Sequence, residues 1–334
     1  MSDTPPIAHE FVQANGLRFH VATCGEGDHL ALCLHGFPEC WYSWRYQLPL
    51  LAELGYRAWA PDLRGYGQTD RPPRREDYAI ERLLDDVAAL IDASGARSTI
   101  LVAHDWGAIV AWYFAMRRQR PLERLVIMNV PHPAVIERAI RRPRQLLRSW
   151  YVLFFQIPGL PELLMGAQRA RAIGDAFRNM AVDKRRFPDE VLQVYRDNAV
   201  APGALTAMAN YYRAFVRGGG GERQRRLGYP IIEVPTLMIW GECDTALGKE
   251  TTYGTDAWVR DLTLRYLPNV SHWVQQEAPE VVNAMLTAWL TGQSVPEAGD
   301  VQVAAARSNA REIDPLASVR AGDTKSPAES DKVV

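Results

Sequence analysis

Short apolar runs recur through the first 130 positions and again between about 235 and 270, and most stretches between them repeat with helical spacing. FVQA and LRFHVAT flank Asn15-Gly16, a pair that hairpin turns favour, and predict two paired strands. LALCL (30–34), YRAWAPD (56–62), TILVA (99–103) and LVIMNV (125–130) predict four more. WYSWRYQLPLLAEL, ERLLDDVAALIDAS and residues 109–118 carry the helical pattern between them. Strand and helix in alternation predict an α/β fold, a mostly parallel sheet with helices on both faces.

After PHP (131–133) the pattern changes. Residues 134–228 show helical periodicity and no convincing strand, so we read them as an inserted helical lid, or cap, between a first core segment (1–133) and a second (229–293). The Gly218–Gly221 run does not sit between a strand and a helix and lacks a following Lys-Ser/Thr, so a hinge is expected rather than a phosphate cradle. PTLMIWG (235–241), a helix, LTLRYLP (262–268) and the helix PEVVNAMLTAWL then complete the alternation. From Ser294 to the end the chain has no aromatic residue, Met or Cys, and a disordered tail (294–334) is expected.

Composition narrows the function classes. With 334 residues, 47% of them hydrophobic, the chain can bury a substantial core. The net charge is −1 with both signs interspersed, which predicts no nucleic-acid or acidic-membrane partner; RRPRQLLR (141–148), the densest basic run, reads as a solvated helix face. No apolar segment is long enough to span a membrane and the N-terminal MSDTPPIAHE has no signal-peptide pattern, so a cytoplasmic location is expected. Cys24, Cys33, Cys40 and Cys243 lack metal-site spacing and read as reduced thiols, and no histidine pair has helical ligand spacing. No metal or cofactor is expected.

The candidate chemistry lies where predicted strands end. Ala103-His104-Asp105-Trp106-Gly107 has the small-x-nucleophile-x-small form of a strained strand-to-helix turn that lifts its central side chain above the sheet edge. An aspartate there can attack an sp³ carbon and remain as an ester, although an Asp can also merely cap the following helix. His35-Gly36-Phe37-Pro38-Glu39 follows LALCL, and the Phe37 and Trp106 amides can form an oxyanion hole. Asp244 follows the strand PTLMIWG, with Glu242 as the rival acid, and His272 follows LTLRYLP. Nucleophile, acid, histidine is the chain order of this hydrolase architecture, so Asp105, Asp244 and His272 form a candidate triad, with Asn129 unable to serve as a charged acid.

HGFPECWYSWRYQ, PDLRGYGQTDRP, VAHDWGA, WGECD and NVSHW together resemble the α/β-hydrolase fold and, within it, the epoxide hydrolases, over most of the chain from about 30 to 290. Ala103 stands where many members have glycine, a mild departure, and Cys40 where serine is common. The resemblance implies two lid tyrosines that bind and protonate the epoxide oxygen, matched by Tyr151 and Tyr212, with Tyr211 as the adjacent rival. It implies conversion of an epoxide and water to a vicinal diol without a cofactor, and the lid segment WYVLFFQIPGLPELLM, read as an apolar pocket wall, predicts that the epoxide is a small apolar one. The alternative is a haloalkane dehalogenase, whose halide-holding indole Trp106 can match; a non-catalytic ligand receptor on the same scaffold is the reading of another class. A fluoroacetate dehalogenase is disfavoured by Trp106 and Ile109, where arginine is expected, and an esterase because Asp105 would form an anhydride.

Overall fold

A computed structural model describes residues 6–301 of the chain. Eight strands, β1 (Ala8–Ala14), β2 (Leu17–Cys24), β3 (His29–Leu34), β4 (Arg57–Pro61), β5 (Ser98–His104), β6 (Arg124–Met128), β7 (Thr236–Gly241) and β8 (Leu262–Leu267), form one sheet in the order β1-β2-β4-β3-β5-β6-β7-β8. β2 pairs antiparallel with both β1 and β4, and every other neighbouring pair is parallel. Asn15 and Gly16 both adopt positive φ, the conformation that a two-residue hairpin turn with the sheet's twist requires.

The central strands read as unbroken apolar runs because both their faces are covered. Leu32, Leu34, Leu101, Ala103 and Ile127 belong to one buried cluster, whereas Ala31, Cys33, Ile100, Val102 and Val126 belong to another on the opposite face. Helices α1 (Gln47–Glu53), α2 (Ile80–Ser94) and α3 (Asp105–Arg117) connect the early strands. The chain runs from β3 to β4 on one side and then returns to β5 on the other side of β3. That reversal makes the carboxyl ends of β3 and β5 a topological switch point, where the loops diverge and leave a crevice.

Seven helices lie between β6 and β7: α4 (Pro133–Ala139), α5 (Pro143–Arg148), α6 (Trp150–Phe154), α7 (Leu160–Met180), α8 (Asp189–Val200), α9 (Ala204–Val216) and α10 (Gly220–Arg226). α7 is interrupted, with Gln168, Arg169 and Ala170 in the left-handed region. The Gly218–Gly221 run, expected as a hinge, is a packed turn from α9 to α10 in which Gly221 abuts the Phe215 ring. Helices α11 (Val274–Glu277) and α12 (Pro279–Leu290) follow β8.

Three further expectations need correction. The helix between β7 and β8 is replaced by two 3₁₀ turns, Lys249–Thr252 and Thr255–Ala257. WYSWRYQLPLLAEL is divided into a 3₁₀ turn, Trp41–Trp44, and α1. The tail does not begin at Ser294 as a solvated segment: Val295 and Ala298 are buried against the core, and Arg265 donates to the Val295 carbonyl. Residues 302–334, for which disorder is expected, lie outside the described residues.

Candidate active site

The elbow forms where β5 meets α3. His104 still has extended backbone, and Asp105 then adopts φ +46°, a left-handed conformation that costs a residue with a Cβ about 1–2 kcal/mol. Close packing holds it in place. The Gly107 amide donates to the His35 carbonyl at 3.0 Å, and a Cβ on Gly107 would overlap the backbone of Leu34 and His35. A Cβ on Gly36 would overlap the Asp105 side chain itself. The small residues of the two motifs are thus the condition for bringing the β3 loop against the nucleophile candidate.

That loop is tied down by His35. Its buried imidazole is shifted downward, chiefly by desolvation, and serves both neutral-ring functions: Nδ1–H donates to the Gly36 carbonyl at 2.9 Å and Nε2 accepts from the Leu63 amide at 3.0 Å. The Phe37 amide consequently points at Asp105 and donates to Oδ1 at 2.6 Å. Among the described residues no matching bond runs from the Trp106 amide to Asp105, so only half of the expected donor pair is engaged here. Pro38 lies on the wall of the same crevice, after a cis peptide bond.

His272, on the loop after β8, stands between two carboxylates. Nε2 is 3.6 Å from Asp105 Oδ2, and Nδ1 is 2.6 Å from Asp244 Oδ2. Asp244 is fixed in turn, for its Oδ1 accepts from the amides of Ala246 and Leu247 at 2.8 and 2.9 Å, and Oδ2 accepts from Asn129 at 2.9 Å. Burial alone would depress His272, but the opposing charges of Asp244 and Asp105 and their hydrogen bonds push it up to about 10. Burial likewise opposes ionisation of both carboxyls, yet their bonds and charge interactions with His272 hold them below the ordinary aspartate value. Glu242, the rival acid, pairs with Lys249 at the partly exposed surface and makes no contact with His272. Asn129 takes a supporting part, orienting Asp244 and accepting from the Gly241 amide at 2.9 Å.

Asp105, His272, Tyr151 and Tyr212 line one cavity of about 520 Å³, with Phe37, Trp150, Phe154, Phe155 and Met165 contributing apolar wall. The two phenol rings meet edge to face at 6.0 Å. Burial raises both phenols well above their ordinary value, the Asp105 charge adding to it, so they remain protonated donors at neutral pH. Tyr211, the rival, donates to the Arg64 carbonyl at 2.8 Å and does not line the cavity. The elbow also places the Trp106 ring 5.0 Å from that of Tyr212.

One buried group was present in the motifs but not legible as a partner. Glu39 accepts from His104 Nδ1 at 2.8 Å, from the Gly36 amide at 2.8 Å and from the side-chain amides of Gln275 and Gln276. His104 Nε2 in turn contacts the His272 carbonyl at 2.9 Å. Both residues sit inside quoted motifs, yet nothing in the chain signals a pairing across 65 positions. Among the described residues no group of three His, Cys, Asp or Glu is arranged to hold a metal ion, and no helix is long and apolar enough to cross a membrane.

Comparison with known proteins matches residues 32–279 to the α/β hydrolase fold family. Epoxide hydrolase 4 of Homo sapiens is 37% identical over 299 residues, 87% of this chain and 81% of that protein. An AB hydrolase superfamily protein of Bacillus subtilis (strain 168) is 37% identical over 85% of this chain and 98% of its own length. Among solved structures, a Bacillus megaterium epoxide hydrolase in complex with an inhibitor superposes with TM-score 0.77 at 30% identity, covering 84% of this chain and 100% of that one.

Proposed function

The chain belongs to the α/β-hydrolase family, among its epoxide hydrolases, and from that premise we propose that it opens an epoxide to a vicinal diol through a covalent ester on Asp105. One observation carries the reading: an ionised carboxylate and two protonated phenols line the same largely apolar cavity.

Asp105 Oδ1 is held by the Phe37 amide, which leaves Oδ2 as the attacking atom. Oδ2 bonds to an epoxide carbon, the ring C–O bond breaks, and the departing oxygen takes a proton from Tyr151 or Tyr212. A phenol is a weak acid, but the breaking bond makes the oxygen steadily more basic, so the transfer becomes favourable as it is needed. Esterification removes the negative charge of Asp105, one of the two that hold the proton on His272. The imidazole therefore becomes more acidic and returns its proton to the phenolate. It is left neutral and oriented by Asp244, as a general base must be.

Neutral His272 Nε2 then draws a proton from water, which attacks the Asp105 carboxyl carbon. Oxyanion charge collects on Oδ1, where the Phe37 N–H already points and where the Trp106 amide can join it at the start of α3. Collapse breaks the bond between that carbon and the alkyl oxygen. The two protons of the water end on the diol and on His272, and Asp105 is again a carboxylate. Helices α4–α10 act as a cap that limits bulk water, and the cavity suits an apolar epoxide of modest size.

A single turnover in ¹⁸O-water tests the scheme. The first diol should carry an unlabelled hydroxyl oxygen derived from Asp105, detected by mass spectrometry, whereas complete labelling of the added hydroxyl in that first product would show direct hydration and overturn it.

A further inference from the structure

We infer that the outer face of α5, α6 and the first turns of α7 docks on an anionic lipid surface, with the mouth of the cavity facing the bilayer. Large apolar side chains stand in solvent there: Leu147 is 74% exposed, Leu163 71%, Leu153 66% and Trp150 63%. They are not scattered. Trp150 itself lines the cavity, Leu147 adjoins the lining residue Arg148, Leu153 adjoins Phe154, and Leu163 lies two positions before Met165. Each of these three short segments therefore contributes lining residues to the same cavity while its neighbouring large apolar side chains stand in solvent, and exposed apolar surface of this kind marks an interaction site.

Charge selects the occupant. Arg141 and Arg142 immediately precede α5 and Arg144 lies in its first turn, three positions before Leu147; all three are exposed and none forms an ion pair among the described residues, although Arg142 shares a second concavity with Arg138 and Glu250. The nearby acids are already engaged, Glu162 by Arg213, Glu250 by Arg148 and Asp175 by Arg171. The face is thus apolar with an unbalanced cationic flank and an interfacial tryptophan, the combination that seats an amphipathic segment on anionic headgroups. A second copy fits less well, since a two-fold pairing of this patch would bring unpaired arginines toward their counterparts. The run RRPRQLLR, read from the sequence as a solvated helix face, supplies this charge, and the near-zero net charge of the whole chain does not reveal it because it averages over all faces. Docking in this way would let an apolar epoxide pass from the bilayer to Asp105 without crossing water; that consequence rests on the proposed function, whereas the docking does not.

Flotation of the full-length chain with phosphatidylcholine vesicles, with and without phosphatidylserine, tests the inference. Partition should be strong only with phosphatidylserine and should weaken with salt. An arginine near such a surface adds roughly fivefold to partition, so the triple variant Arg141→Glu, Arg142→Glu, Arg144→Glu should lose on the order of a hundredfold or more. The pair Leu147→Asp and Leu163→Asp should lose at least about tenfold through the apolar term. Circular dichroism and hydrolysis of a water-soluble epoxide should remain as in the parent chain, so a failure of docking is distinguishable from a failure of the catalytic scheme. No partition with phosphatidylserine, equal partition by parent and variants, or a dimer dissociated by Leu147→Asp would overturn it.

Discussion

At the scale of single residues, the proposed reaction turns on the charge relation between Asp105 and His272, 3.6 Å apart. His272→Gln preserves a polar side chain but removes the proposed base, so the ester should form and persist. Intact-protein mass spectrometry after mixing with an epoxide is expected to show a stoichiometric adduct, and an unmodified mass would count against the two-step scheme. In the proposed scheme Tyr151 and Tyr212 share one task, so either Phe substitution should slow ring opening by about 10²-fold and the pair by more, with little loss of fold because the rings stay packed. Pre-steady-state kinetics should place the loss in ester formation rather than in hydrolysis. Asp105, Asp244 and His272, which the structure brings together, are candidates that motif and chain order alone suggest. Choosing Tyr212 over Tyr211 rested on family resemblance, and a physical basis for it comes only from the Arg64 carbonyl that occupies Tyr211.

At the scale of elements, the decisive feature is the junction of β5, α3 and the β3 loop. Gly107→Ala places a methyl group against the Leu34 and His35 backbone, which cannot retreat without disturbing the sheet. The variant should lose about 1–3 kcal/mol of stability, read by chemical denaturation, and should lose activity beyond that loss because the Phe37 amide is displaced. The central strands were legible because β-branched and apolar runs of this length, buried on both faces, have few alternatives. The β7–β8 connection was not. Its pattern admitted a helix, but Asp244 draws the Ala246 and Leu247 amides to its carboxylate and turns the chain there instead.

At the scale of the whole molecule, the buried charges at the site make stability depend on pH. His272 is raised from 6.5 to about 10, so its contribution is complete below 6.5 and is lost as pH rises through about 10. Asp105 and Asp244 are lowered from 3.8, so theirs is present above 3.8 and lost as pH falls through their depressed values. Thermal denaturation should therefore show a plateau around neutrality with falling arms on both sides. Asp105→Asn should flatten the alkaline arm, because His272 then has one carboxylate fewer to retain its proton, and an unchanged alkaline arm would contradict the assignment. By itself the sequence determined the alternation of elements, the elbow and the order of the site residues, since these depend on local periodicity and on residues within a few positions of one another. Only the tertiary structure decided which donors engage Asp105 and that Glu39 and His104 pair behind His272. Those are relations between side chains distant in sequence, set by packing geometry and shared burial, and no local pattern encodes them.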